Sequence, residues 1–203
     1  MTNKKITLKD LKAEEKAARK NLIVDTAIRL FSNRPLKEVG IRDIAKEAGI
    51  SPALIYRYFS DQDELLLEAI NRETGQMIHH FLLKVDELNE NSLIEVAKEF
   101  VRYLFQHDHF FRMMTHFMMD RTIKREKLEK FDQHIRNLLE IFDGLFLRAG
   151  ASQPRLYSHA LFASLNGILI TYRHYPGKDE RDVEKQIMKL TEVIGTLFSQ
   201  INE

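Results

Sequence analysis

Arg57 and Tyr56, beside Ala53 and Leu54 in the run SPALIYRYF, are the side chains best suited to meeting a nucleic acid. An arginine can span the O6 and N7 edge of a guanine with two hydrogen bonds, while Leu54 or Ala53 can pack on a thymine methyl. The Tyr56 hydroxyl suits a phosphate, which positions a protein without reading sequence. Arg42, a little upstream, is a further phosphate candidate. A second group, His109, Arg112, His116 and Asp120, recurs at i, i+3, i+7 and i+11 and so shares one helical face. A metal could take His116 and Asp120 with His109 or His107 one or two turns away. The alternatives are a polar outer face, or pocket histidines that orient a ligand by hydrogen bonds. Such weak pairs fit almost any helix rich in histidine, so no metal and no cofactor is assigned.

No catalytic residue is assigned either. The chain contains no HExxH, GxSxG or phosphate-loop motif. It also has no cysteine, which excludes disulfides, thiolate catalysis and zinc sites built on sulfur.

The elements that must position Arg57 lie at residues 41–60, IRDIAKEAGISPALIYRYFS. Two helices that cross steeply through a short turn need a small residue where they touch, and Ala45 supplies it. The turn needs a residue tolerant of positive φ, and Gly49 supplies that. Ile41, Ile44, Ala48, Ile50, Ile55 and Tyr58 fall where apolar residues must fill the wedge. Ser51 is a natural N-cap and Pro52 a natural first helical residue. Burying Ile55, Tyr58 and Phe59 turns Ala53, Leu54, Tyr56 and Arg57 outward. This is a helix-turn-helix, and the competing reading is one used only for packing or protein contacts.

The charge distribution favours a polyanion as partner. The net charge is only +1, but residues 1–60 hold 13 Lys+Arg against 7 Asp+Glu, and the remainder is acidic. Lys4, Lys5, Lys9 and Lys12 make residues 1–12 a basic extension that could track a phosphate backbone; the alternative is a frayed, solvated tail. No run of eighteen apolar residues spans a membrane, and the charged N-terminus lacks a signal-peptide core, so a cytoplasmic location is expected.

Nearly every segment has helical period, which predicts an all-α fold. Helices are expected over about 14–31, 41–48, 52–59, 62–88, 93–104, 109–119, 123–148, 154–175 and 179–200. Asp61 with Glu64, and Ser92 with Glu95, have capping-box spacing. The division is a basic extension at 1–12, a helix-turn-helix domain at 13–60 and a larger domain at 61–203.

The stretches IVDTAIRLF, IRDIAKEAGISPALIYRYF and ELLLEAI resemble the DNA-binding domain of TetR-type (tetracycline-repressor-like) regulators. The resemblance is specific over about residues 20–70. It implies a three-helix N-terminal DNA-binding domain followed by a roughly six-helix ligand-binding and dimerisation domain. It also implies major-groove contact through Ser51, Pro52, Ala53, Leu54, Tyr56 and Arg57. Two positions depart from the family pattern. Gly40 stands where a Thr or Ser hydroxyl usually meets a phosphate, and Gln62 stands where a Lys usually opens the fourth helix, leaving Gln62 as the contact at that place.

The C-terminal region offers a partner face and a pocket. Val183, Ile187, Leu190, Ile194, Leu197 and Ile201 form a narrow seam on the last helix, suited to packing along another, nearly parallel helix. The preceding helix is apolar almost all round, with Tyr157, Leu161, Leu165 and Ile168 among its large residues. The two helices together could form a four-helix bundle with a second copy, so Tyr157, Leu161, Leu165, Ile168, Ile187, Leu190, Ile194 and Leu197 are the expected dimer residues. Burial of both helices within one monomer is the competing reading. Met-rich, aromatic-rich surfaces adapt to varied apolar ligands. Phe100, Tyr103, Leu104, Phe110, Met113, Met114, His116, Phe117 and Tyr172 are therefore the expected wall of an effector pocket.

The function expected from these features is a ligand-responsive transcriptional regulator, most simply a repressor. It would bind double-stranded DNA at a palindromic operator as a homodimer and be released by a small apolar or aromatic effector. The alternatives are a helical enzyme and a protein-interaction adaptor on the same fold.

Overall fold

A computed structural model describes residues 7–87, 93–119 and 125–200. Its elements are helices α1 (Leu8–Asn33), α2 (Ile41–Glu47), α3 (Pro52–Ile55), α4 (Gln62–Glu87), α5 (Leu93–Gln106), α6 (Asp108–Met119), α7 (Glu129–Arg148), α8 (Pro154–Tyr172) and α9 (Glu180–Ser199). Short 3-10 turns at Leu36–Glu38 and Arg125–Leu128 precede α2 and α7. The fold is all-α, as the periodicity predicts, with no strand among the described residues.

α1 starts earlier than expected. Thr7 accepts from the Asp10 N–H at 3.3 Å while Asp10 Oδ2 accepts from the Thr7 N–H at 2.9 Å, a reciprocal cap that satisfies two helix-end donors. Lys9 and Lys12 are therefore helical residues rather than parts of an irregular extension; Lys4 and Lys5 lie outside the described residues. The burial of α1 begins only at Ile23, Val24, Ala27 and Phe31. Its first half is exposed, which is why apolar period did not reveal it.

α4 is the spine that joins the small N-terminal helices to the larger bundle. Asp61 caps it by accepting from the Glu64 N–H at 2.8 Å. Glu64 reaches back to the Ser60 N–H at 2.6 Å, one residue before the place that a reciprocal box would require. The Ser92–Glu95 pair cannot be compared, because Ser92 lies outside the described residues. Arg72 of α4 pairs with Asp25 of α1 and donates to Asn21 Oδ1 at 2.8 Å, while Lys20 of α1 pairs with Glu68 at 3.0 Å. One continuous apolar core runs from Ile23 and Phe31 through Leu65, Ile70 and Phe81 to Phe100, Phe142, Leu165 and Ile187.

In the larger domain α5 packs on α9 and α7 on α8, and α8 and α9 pack on each other. At the α5–α9 crossing, a Cβ added to Gly195 would stand 3.1 Å from Ile94 Cα. A glycine is what lets the two backbones approach that closely.

Candidate nucleic-acid interface

The helix-turn-helix is built from α2, the turn around Gly49, and α3. Ile41, Ile44 and Ala45 bury one face of α2, and Ile55 and Phe59 are buried beneath α3. Gly49 has φ +67°, the left-handed conformation expected for the turn, and the Ile50 N–H closes that turn on the Ala45 carbonyl at 3.0 Å. Ser51 Oγ accepts from the Leu54 N–H at 3.3 Å with Pro52 in the first helical position. The start of α3 is thus fixed by its own cap. Regular α-helix ends at Ile55, sooner than expected. The chain continues through mixed turns, with the Arg57 N–H on the Leu54 carbonyl at 3.2 Å and the Phe59 N–H on the Ile55 carbonyl at 3.0 Å.

These bonds display the expected surface. Ser51, Pro52, Ala53, Tyr56 and Arg57 are exposed, Leu54 is half-buried and the Tyr56 side chain stands well out at 57% exposure. Arg42 is also exposed, at the start of α2. Before it, the Gly40 N–H donates to Asp43 Oδ2 at 2.9 Å, which holds the Asp43 carboxyl below its ordinary range. Gly40 itself offers no side chain, so only the Asp43 half of a reciprocal cap forms.

Gln62, an expected DNA contact, also has a partner within the protein. Its Nε2 donates to the Val39 carbonyl at 2.8 Å and it is half-buried, so its donor ties α4 to the approach of α2. The structure also adds residues that sequence reasoning kept separate. A groove of about 430 Å³ elsewhere aside, one of about 420 Å³ is lined by Lys12, Glu15, Lys16 and Arg19 of α1 together with Arg57 and Tyr58. The capping signal Thr7–Asp10 was available in the sequence and would have continued α1 into this basic stretch.

Most residues of the expected effector wall are buried in the core. Phe100 lies edge-on to Phe81 at 6.0 Å and to Phe142 at 5.7 Å, and Leu104, Phe110, Met113, Met114 and Phe117 are buried with it. Tyr103, stacked on His107 at 4.0 Å, is held at about 12 by burial and by Glu73. His116 is half-buried beside Phe117, and Tyr172 is half-buried and stacked on Tyr175. Amphipathic helices α5 and α6 must bury their apolar stripes somewhere, and α5 packs chiefly on α9 while α6 packs on α4, α1 and α5. Of the residues in the metal option, His109 has its Nε2 2.8 Å from Glu73 Oε2, and Asp120 is outside the described residues.

The expected dimer residues divide. Leu161, Leu165 and Ile187 are fully buried inside the monomer, so they face its own core. Tyr157, Ile168, Leu190 and Ile194 are half-buried, and Leu197 is exposed. The outer surface consists instead of Leu156, Ala160, Ala163, Gly167 and Ile170 on α8 with Val193 and Leu197 on α9. A helix apolar all round fixes that every side is covered, but not which side faces the monomer.

A capped helix-turn-helix with an exposed reading face, carried by an all-helical body, defines a helix-turn-helix DNA-binding regulator. Residues 23–69 match the family described as "Bacterial regulatory proteins, tetR family". The chain is 27% identical to the HTH-type transcriptional regulator BetI of Brucella canis over 195 residues, 93% of this chain and 96% of that protein. It is 37% identical over 68 residues to an uncharacterized HTH-type transcriptional regulator of Mycobacterium tuberculosis, 34% of each chain. In fold it is similar to the transcriptional regulator FadR of Bacillus subtilis, solved in complex with stearoyl-CoA, with TM-score 0.67, 18% identity, and coverage of 90% of this chain and 98% of that one. A TetR-family regulator of Mesorhizobium loti is similar to the same extent, with TM-score 0.67, 16% identity, and coverage of 89% and 96%. The N-terminal domain is thus of the TetR type, and the chain as a whole is similar to TetR-type transcriptional regulators.

Proposed function

We propose that the chain is a ligand-responsive repressor that binds a palindromic operator as a homodimer and is released by a small apolar or aromatic effector. The exposed face of Ala53, Tyr56 and Arg57, held on a self-capped α3, carries this reading. Arg57 would contact base edges, with Tyr56, Arg42 and the basic side of α1 on phosphates. The apolar outer face of α8 and α9 supports a two-fold dimer, since Leu156, Ile170, Val193 and Leu197 are each more than half exposed. Two such protomers would present two recognition helices to two half-sites. The methionines and aromatics of α5 and α6 supply an interior that can repack around an apolar guest. No helix among the described residues is long and apolar enough to cross a membrane, which supports work in the cytoplasm.

The test is a gel shift with the DNA upstream of the chain's own gene, at physiological salt. Specific, competitor-resistant binding by the wild type, lost in Val193→Asp together with the dimer in sedimentation, is the expected result. Binding no tighter than to random DNA would overturn the reading and favour a protein-interaction adaptor.

A further inference from the structure

A cavity of about 430 Å³ opens where the end of α5, the start of α6 and the α8–α9 connection meet, away from the packed Phe100 cluster. Its lining combines Phe105, Tyr175 and Val183 with Asp108, Arg173, His174, Lys178 and Glu180. The Arg173 side chain is only 7% exposed. Its Nη2 donates to the Leu104 carbonyl at 2.7 Å and to that of Phe105, its Nε lies 2.7 Å from Asp108 Oδ1, and its guanidinium covers the Phe111 ring at 4.9 Å. Asp108 is shared, because its Oδ2 also pairs with Arg112 Nε at 2.8 Å. One carboxylate thus answers two guanidiniums.

The hydrogen bonding there is incomplete. Arg173 Nη1 is buried and makes no hydrogen bond, while Arg112 Nε and Asp108 Oδ1 meet only their ion-pair partners. Native proteins satisfy nearly all buried polar atoms, so the unpartnered Arg173 Nη1 marks a place for a further acceptor. A buried cation in excess of its carboxylate calls for an anion. Lys178 adds a second cation to the lining, its Nζ 5.5 Å from the Tyr175 ring centroid and donating to Gln186 Oε1, and Glu180 adds a second carboxylate. Arg112 carries the site outward, since its Nη2 donates to the Phe31 carbonyl at 2.9 Å, near the end of α1 in the DNA-binding domain.

We propose that this cavity binds a small aromatic carboxylate and reports it to the DNA-binding domain through Asp108 and Arg112. This rests on the DNA-binding reading for its output but not for the binding itself. The ligand carboxylate takes Arg173 with Lys178 alongside, and its ring packs on Phe105, Tyr175 and Val183. A carboxylate on Arg173 competes with Asp108, which then pairs wholly with Arg112 and draws it from the Phe31 carbonyl. The seat of α1 on α6, and with it the placing of α3, changes.

The experiment titrates the full chain with 2-naphthoate and its neutral amide by calorimetry, then measures operator affinity with and without saturating 2-naphthoate. Expected are saturable binding of the acid and not the amide, weakening of at least about tenfold in Lys178→Gln and Arg173→Lys, and an operator affinity lowered at least about fivefold, the low end of ordinary allosteric coupling. Arg112→Gln is expected to bind 2-naphthoate while its operator affinity no longer responds. Because Arg173→Lys acts at a buried position, the exposed Lys178→Gln carries the binding test by itself. No saturable binding, equal binding of the amide, or binding indifferent to Lys178→Gln overturns the site. Unchanged operator affinity on saturation, or a wild-type response in Arg112→Gln, overturns the coupling. Failure of the unliganded chain to bind operator is a separate result that tells against the DNA-binding reading and leaves the calorimetry standing.

Discussion

Gln62 Nε2 donates to the Val39 carbonyl at 2.8 Å, joining the first residue of α4 to the strand of chain that leads into α2. The bond spans 23 residues and sits half-buried, so it fixes how the helix-turn-helix hangs from the spine helix. Gln62→Ala leaves the Val39 carbonyl without that donor. A buried acceptor that loses its partner costs about 1–3 kcal/mol. The expected outcome is a melting temperature lowered by a few degrees together with weaker operator binding. Unchanged stability in a thermal melt would mean that water replaces the side chain at no cost.

The helix-turn-helix was legible because its grammar is local. Ala45, Gly49, Ser51 and Pro52 each satisfy a need that lies within one or two turns of them. The Gln62 bond was not legible, since it depends on where Val39 comes to rest far along the chain. Much the same holds for Leu161, Leu165 and Ile187, which the apolar pattern marks as covered without saying by which neighbour. The contacts of Arg112 and Arg173 were invisible for a third reason: their partners include backbone carbonyls, of Phe31, Leu104 and Phe105, and every residue type has one. The early start of α1 was missed although Thr7 and Asp10 announced it, because periodicity outweighed capping where no apolar face exists.

Arg57 and Tyr56 should separate reading from anchoring. Both are exposed, so truncating either leaves the core intact. Arg57→Ala is expected to cost about 1–3 kcal/mol in specific binding, the worth of one bidentate base contact. It should flatten the preference for operator over a site altered at one base pair. Tyr56→Phe, which loses only a phosphate hydroxyl, should weaken binding to both sites alike. Competition gel shifts on the two DNAs measure this. Equal losses on both DNAs for Arg57→Ala would make Arg57 an anchor and not a reader.

Asp61 gives a pH signature. The Lys127 ammonium at 2.6 Å, then the Glu64 N–H at 2.8 Å, hold its carboxyl below the usual carboxylate range. A carboxyl depressed in the folded state binds protons less readily there than in the unfolded chain. Its stabilisation is therefore full above the ordinary Asp value of about 3.9 and drains as pH falls through the lower folded value. Asp61→Asn can still cap α4 but loses the charge facing Lys127. The variant should melt below wild type near neutral pH, with the gap closing as both are taken into acid. A gap of constant size down to about pH 3 would show that the charge facing Lys127 is not its source, since that pH lies below the ordinary carboxylate value.

Gly195 tests how tightly the larger domain is keyed. A Cβ there would lie 3.1 Å from Ile94 Cα and 3.2 Å from Ile94 Cγ1, so a methyl must push α9 away from α5. Replacing a helical glycine by alanine in open space gains up to about 1 kcal/mol from backbone entropy. Overpacking typically costs about 1–3 kcal/mol. The Ile94 backbone cannot swing aside as a side-chain tip can, so the cost should exceed the gain. Gly195→Ala is expected to lower the melting temperature. Gly167→Ala on α8, where a Cβ meets nothing within 4 Å, should raise it or leave it unchanged while the chain is monomeric. If α8 lies against a second copy, the same methyl meets the partner and weakens association, which sedimentation at several concentrations reads directly. A lowered melting temperature in Gly167→Ala that falls further on dilution would thus place the interface on this side of α8. A rise in the melting temperature of Gly195→Ala would show that α9 can shift at no cost, and that the α5–α9 crossing is looser than its spacing indicates.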